Sequence, residues 1–364
     1  MTNIKKLFEG VTLGNTLLDN RVGVAPMTRT SATAKGLVTD EMISYYTSFA
    51  KGGFGLIITE GTYTDHQYSQ CYFHQPGMID EEQAKTWKQL VDSVHEAGVK
   101  IFMQLEHTGP LSQGNRFVEG TIAPSAVQPK GEQLEFYGGK GPFPLPKEAT
   151  KEELKEVING FVHSAKRAQS VGFDGVEIHG ANGYLLDAFL TDYTNHRKDE
   201  YGGSTENRVR LLVEIAKAVR EEVGPNFTVG IRISQSKVND YKHKWAGKEK
   251  DAKIIFEQLG KSGLDYIHVT EHHAQQPAFD TSGLSLAALA KKYGGIPVIA
   301  NGHLEDPLAA SEMVERGEAD VITLGKGALA NHDWVQKVRN GEQLKEFNQE
   351  EVLRPNAKIK EFEV

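Results

Sequence analysis

The chain has 364 residues, with 41 Lys or Arg against 49 Asp or Glu and a formal net charge of -8. With 25% charged and 39% hydrophobic residues it reads as a folded globular chain without the basic face that nucleic-acid binding needs. Its one cysteine, Cys71, excludes an intramolecular disulfide, a cysteine-ligated zinc and an iron–sulfur cluster.

The N-terminal stretch MTNIKKLFEG breaks any apolar run at Glu9-Gly10, so it does not read as a signal peptide. No stretch reaches the length of a membrane span, and the expected location is cytoplasmic. FEGVTLGNTLLDN places a Gly14-Asn15 turn between short apolar runs, which predicts a hairpin. RVGVA (21–25) is the first candidate strand and precedes a helix over 40–51. GLIIT (55–59) precedes a helix over 81–98, with Asp80 as N-cap, Gln83 three residues on and Gly98 as the stop. KIFMQL (100–105) runs into 106–150, a stretch rich in Gly, Pro and aromatics that is too long for a plain turn and is read as a lid. Thr150 and Glu153 form a capping box for a helix over 151–171. GVEIH (175–179) is followed by a helix over 205–223, and TVGIRI (228–233) by a loop and a helix over 249–262. YIHVT (266–270), PVIAN (297–301) and VITLG (321–325) precede helices over 284–293, 307–316 and 328–339.

The strands are rich in Val and Ile and mostly lack strict polar alternation, as strands covered on both faces do. Alternation of eight such strands with helices predicts an α/β chain folded as a (β/α)8 TIM barrel, the hairpin closing its floor. Two doubly wound halves are the runner-up, weakened because no GxGxxG follows the first strand. The barrel is expected over 1–345, and the charged run 346–364 reads as a solvated tail.

Barrel enzymes carry their chemistry where strands end at the C-terminal face. There the sequence offers Pro26-Met27-Thr28, Gly61, Gln104, Glu106, His179, Asn182, Tyr184, Arg232, Asn301-Gly302 and Gly325-Lys326. Glycine turns after the last two strands suit a phosphate, with Lys326 as the cation. Thr28, Gln104 and Arg232 then line a flat heterocycle. His179 and Asn182 polarise one carbonyl or nitro oxygen, and Tyr184 gives a proton from beside them.

The block HGANGYLLDAFLTDYTNHRKDEYGGSTENRVR (179–210) resembles the signature of the old yellow enzyme family of flavin-dependent ene-reductases. NRVGVAPMTR (20–29), Gln104-Leu105-Glu106-His107, VGIRIS (229–234) and VIANG (298–302) match that family's pattern in the same order. The resemblance implies noncovalent FMN, reduction by NADPH or NADH, and a small activated alkene or nitro compound as substrate. It implies that His179 and Asn182 bind the activating oxygen and that Tyr184 protonates the α-carbon. Thr28 is implied at the flavin C4 carbonyl, Gln104 and Arg232 at the pyrimidine ring, Pro26, Met27 and Gly61 against the ring system, and Asn301, Gly302, Gly325 and Lys326 towards the phosphate. Lys326 stands where the family usually has Arg, a point charge in place of a bidentate fork. Glu106 near the substrate is expected to disfavour anionic acceptors.

A metal-dependent barrel hydrolase lacks ligands at Ala25-Pro26-Met27, and a non-catalytic flavin- or phosphate-binding barrel does not need His179, Asn182 and Tyr184 together. His272-His273 reads as a loop near the pocket mouth, and no metal is expected. Neither a nucleic-acid nor a membrane partner is expected; a homo-oligomer stays open.

Overall fold

The structure is a computed structural model that describes residues 4–280 and 283–364. Each apolar run expected as a strand forms one: β1 (Val22–Val24), β2 (Leu56–Ile58), β3 (Lys100–Glu106), β4 (Gly175–Asn182), β5 (Thr228–Lys237), β6 (Tyr266–Thr270), β7 (Val298–Asn301) and β8 (Val321–Leu324). Neighbours in this order pair in parallel, and β8 pairs with β1, so the sheet closes into a barrel with no free edge.

Helices α1 (Asp40–Lys51), α2 (Glu81–Glu96), α3 (Lys151–Ser170), α4 (Arg210–Val223), α5 (Glu249–Gly260), α6 (Leu286–Gly294), α7 (Pro307–Glu315) and α8 (Trp334–Asn340) follow the strands in turn. The Asp80 side chain accepts from the Gln83 amide at 2.9 Å, and Thr150 and Glu153 cap each other reciprocally. The helix expected over 328–339 is split into Lys326–Ala330 and α8. Asn331 leaves the helical region between them, and its side chain is held by the Lys345 carbonyl at 2.9 Å.

Inside the barrel, alternate residues of each strand stack in layers. The lowest layer is apolar. Leu13 and Leu18 of the hairpin Val11–Leu13/Thr16–Leu18 pack on Leu56, Ile58, Phe102, Tyr266, Ile299 and Val321, so the hairpin does close the floor. Gly230 makes room here, since a Cβ would meet the Tyr266 ring at 2.1 Å. The next layer is polar. Glu177 accepts from Gln104 Nε2 at 2.8 Å and Tyr266 Oη at 3.1 Å and lies 2.8 Å from His268 Nδ1, while His268 Nε2 lies 2.9 Å from Thr323 Oγ1.

The C-terminal segment departs from the expected solvated tail. Val352, Ala357 and Ile359 are buried, and Glu363 forms a two-pronged ion pair with buried Arg29 at 2.5 and 2.6 Å. Arg29 also donates to the carbonyls of Ala357 and Lys358. A guanidinium buried just beyond β1 needs such partners, and the segment supplies them. Among the described residues no helix is long and apolar enough to cross a membrane.

Candidate active site

One cavity of about 320 Å³ opens at the C-terminal face of the barrel. It is lined by Pro26, Met27, Thr28, Gly61, Gln104, Glu106, His179, Asn182, Tyr184, Arg232, Asn301, Gly325 and Lys326, which gathers all but one of the expected residues. The exception, Gly302, lines an adjoining cavity of about 190 Å³ that shares Asn301, Gly325 and Lys326. Gly302 has a φ of 133°, and a Cβ there would meet the Glu271 carbonyl oxygen at 1.9 Å. Only glycine fits this turn.

β4 carries His179 to the cavity, where it is 2% exposed. Burial, with Arg232 and His268 adding repulsion, holds its pKa well below the usual histidine value, so the ring is neutral. Its Nδ1 has no partner among the described residues. Asn182 ends β4 in the left-handed region, with a φ of 64°, which Asn tolerates better than most residues. Its backbone N–H donates to Ser234 Oγ at 2.8 Å, and its backbone carbonyl accepts from the Val238 N–H. These bonds fix the bend that turns the chain back over the barrel mouth.

Tyr184 occupies the N-cap position of the short helix Leu185–Leu190 and lies with its ring centroid 5.1 Å from that of His179. Its hydroxyl is 3.0 Å from that of Tyr72. Burial raises the Tyr184 pKa well above its ordinary value, so it keeps its proton through the physiological range. Tyr72 and Tyr137, the latter one of the aromatics of the 106–150 stretch, complete this wall, with ring centroids 4.3 Å apart. Tyr137 donates to the Thr28 carbonyl at 3.3 Å, tying the 106–150 insertion to the end of β1. Tyr72 is an isolated aromatic in an irregular segment and carries no periodic signal, so nothing in the sequence marked it, whereas the aromatic content of the 106–150 stretch pointed to Tyr137.

On the neighbouring strand β5, in register with His179, Arg232 donates to Asn301 Oδ1 at 3.0 Å, while its Nε is buried without a partner among the described residues. Asn301 is itself held by Thr270 Oγ1 at 2.8 Å and by the Thr323 carbonyl at 2.9 Å. Lys326 is exposed, with its Nζ 5.8 Å from the Phe347 ring. Phe347 and Leu353, from the supposed tail, also line the cavity. Glu106 is 2% exposed and packs against Gly61, where a Cβ would meet its Oε2 at 1.8 Å. Burial pushes its carboxyl up to about 8. At neutral pH it is an uncharged acid, so the expected repulsion of anionic acceptors does not hold there.

An unpartnered guanidinium nitrogen, an unpartnered imidazole nitrogen and a glycine-lined recess beside a lysine suit a flat polar ring bearing a phosphate. Fold and cavity together define a barrel oxidoreductase of the flavin-binding class. The sequence pattern of the NADH:flavin oxidoreductase / NADH oxidase family matches residues 6–345. The chain is 33% identical over 349 residues to a probable flavin mononucleotide-dependent alkene reductase of Leishmania infantum, covering 94% of this chain and 92% of the relative. It is 32% identical over 353 residues to an NADH oxidase of Thermoanaerobacter brockii, covering 94% of this chain but only 52% of that longer relative. Among solved structures, the old yellow enzyme homologue of Zymomonas mobilis superposes with a TM-score of 0.84 at 29% identity, covering 93% of this chain and 94% of the other. Morphinone reductase in complex with tetrahydroNAD superposes with a TM-score of 0.82 at 30% identity, covering 93% and 92%. The chain belongs to the old yellow enzyme family, whose members are FMN oxidoreductases that draw on NADH or NADPH.

Proposed function

We propose that this protein reduces the C=C bond of activated alkenes, α,β-unsaturated carbonyl compounds first and nitro compounds second, at the expense of NADPH or NADH. The observation that carries this reading is the pairing of neutral His179, its Nδ1 unpartnered, with protonated Tyr184 in one cavity. The similarity to an alkene reductase, and to a rice protein named 12-oxophytodienoate reductase 7 (31% identical over 360 residues), supports the same substrate class.

Bound FMN supplies hydride transfer between the nicotinamide and the alkene. The chain's own residues do the rest. Thr28, Gln104 and Arg232 would orient the ring, and Pro26, Met27 and Gly61 would pack against it. Asn301, Gly302, Gly325 and Lys326 would hold its phosphate end. His179 and Asn182 donate to the substrate's activating oxygen, which draws electron density from the β-carbon. A neutral imidazole suits this role, because it donates from one nitrogen without the cost of a buried charge. Tyr184 hands its proton to the α-carbon, and Tyr72, 3.0 Å away, is placed to restore it.

The test is Tyr184→Phe in the FMN-loaded protein. Alkene reduction is expected to fall by about 10²–10⁴-fold, the usual share of a positioned acid. Bleaching of the flavin by anaerobic NADPH or NADH is expected to continue at the wild-type rate. Undiminished cyclohexenone turnover would remove Tyr184 from the mechanism.

A further inference from the structure

Three imidazoles meet at the outer rim of the recess of about 190 Å³, where two of them, His272 and His303, line it beside Gly302 and Lys326. His272 and His273 lie just beyond β6, and His303 just beyond β7. His272 and His273 are adjacent in the sequence, whereas His303 is thirty positions on. The fold adds the third, and one nitrogen from each ring lies within 4.8 Å of the other two. Ring centroids are 4.5 Å apart for His272–His273, 4.6 Å for His272–His303 and 4.4 Å for His273–His303. All three side chains are exposed.

The proton on His303 is fixed by its surroundings. His303 Nδ1 sits 2.6 Å from the His272 carbonyl oxygen, which can only accept. Nδ1 therefore carries the hydrogen, and in the neutral ring Nε2 presents a lone pair. Metal-binding histidines show this arrangement, with the non-ligating N–H anchored to a carbonyl or carboxylate. His303 also adopts a left-handed φ of 47°, unusual for a non-glycine residue. Two backbone bonds hold the loops in place around it. Glu271 donates to the Asn301 carbonyl at 3.1 Å, and Ala274 to the Gly302 carbonyl at 3.0 Å.

We infer that His272, His273 and His303 form a binding site for one divalent late first-row transition cation, of which Zn²⁺ is the representative. Imidazole nitrogens suit this class of ion, and three of them leave a coordination position open. Zn–N bonds of about 2.0–2.1 Å require the donors to draw closer, and side-chain rotation of three exposed rings allows it. Through β6 and β7 the ion clamps together the two loops that frame Gly302. The site stands whether or not the protein reduces alkenes.

The experiment is equilibrium dialysis of the untagged, FMN-loaded protein against buffered Zn²⁺, with bound metal and bound FMN measured on the same samples. The wild type is expected to take up one Zn²⁺ per chain at micromolar or lower concentration, with a rise in its thermal midpoint. His273→Ala and His303→Asn are each expected to weaken uptake at least tenfold; Asn tolerates the left-handed backbone, so the fold is kept. His66→Ala, which removes an exposed imidazole elsewhere, is expected to bind as the wild type does. No uptake below millimolar Zn²⁺, or equal uptake by His303→Asn, overturns the site. Loss of FMN from His303→Asn with Zn²⁺ uptake intact also overturns it, and would assign the cluster to the cofactor's phosphate.

Discussion

At the scale of single residues, Glu106 decides how the pocket responds to pH. Its pKa of about 8 lies above the ordinary carboxyl value because burial disfavours the charged form, with nearby Glu60 adding to the effect and Gln75 opposing it. The pocket is therefore uncharged at this position at neutral pH and gains a negative charge as pH rises through about 8. An anionic enoate acceptor should show a KM that climbs above this pH in the wild type and stays flat in Glu106→Gln; parallel profiles would contradict the assignment. Stability follows the same sign. Between the ordinary carboxyl pKa of 4.5 and about 8, the folded chain holds a proton that the unfolded chain has released. Stability from this group is thus complete below the lower value and is lost as pH rises through the upper one. Denaturation midpoints at pH 5 and 8.5 should differ less in Glu106→Gln than in the wild type. The sequence placed Glu106 at the cavity, but not its protonation, which depends on burial by segments distant in the chain.

At the scale of elements, periodicity and capping served well where a segment behaves independently. Val/Ile runs became strands and Thr150 with Glu153 opened α3, because those signals act within a few residues. The C-terminal segment failed that reading. Its few apolar residues are spaced irregularly, and its main anchor is a charge pair with Arg29, more than three hundred positions away in sequence. Both side chains of that pair are essentially inaccessible, at 0% and 1% exposure. Removing one partner from a buried pair strands the other charge and costs about 3–5 kcal/mol. Glu363→Ala should lose stability of that order in urea unfolding. It should also release the segment carrying Leu353 from the cavity rim, raising KM for alkenes more than it lowers kcat. Arg29→Met combined with Glu363→Leu should regain most of the stability, since neither charge is then left buried. A double variant no more stable than Glu363→Ala would mean that packing, and not the ion pair, anchors the segment.

At the scale of the whole molecule, the barrel divides its interior between an apolar floor that closes it and a polar belt that supports the site. The floor was legible as a hairpin before the first strand. The belt was not, because Glu177 and His268 sit inside strands where single polar residues look like interruptions of an apolar run. Only barrel closure brings Gln104 of β3, Glu177 of β4, His268 of β6 and Thr323 of β8 together. Burial alone would raise the Glu177 pKa, but His268, Arg232 and Gln104 outweigh it and leave it lowered. Glu177, bonded directly to His268, also offsets from a longer range the charge of Arg232, the buried cation that faces the cavity from β5. Its stabilisation is present above the ordinary carboxyl pKa and lost as pH falls through the lowered one. Glu177→Gln keeps the shape and the acceptor oxygen but removes the charge. It should cost about 3 kcal/mol, because Arg232 stays buried, and it should weaken FMN retention and flatten the acid limb of the stability profile. Asp92→Asn breaks an exposed pair with Lys88 and should cost less than about 1 kcal/mol. Urea unfolding and FMN release measured on both variants separate the cases. If Glu177→Gln is as mild as Asp92→Asn, the belt acts through hydrogen-bonded shape alone, and the charge on Glu177 has no part in holding Arg232 at the cavity.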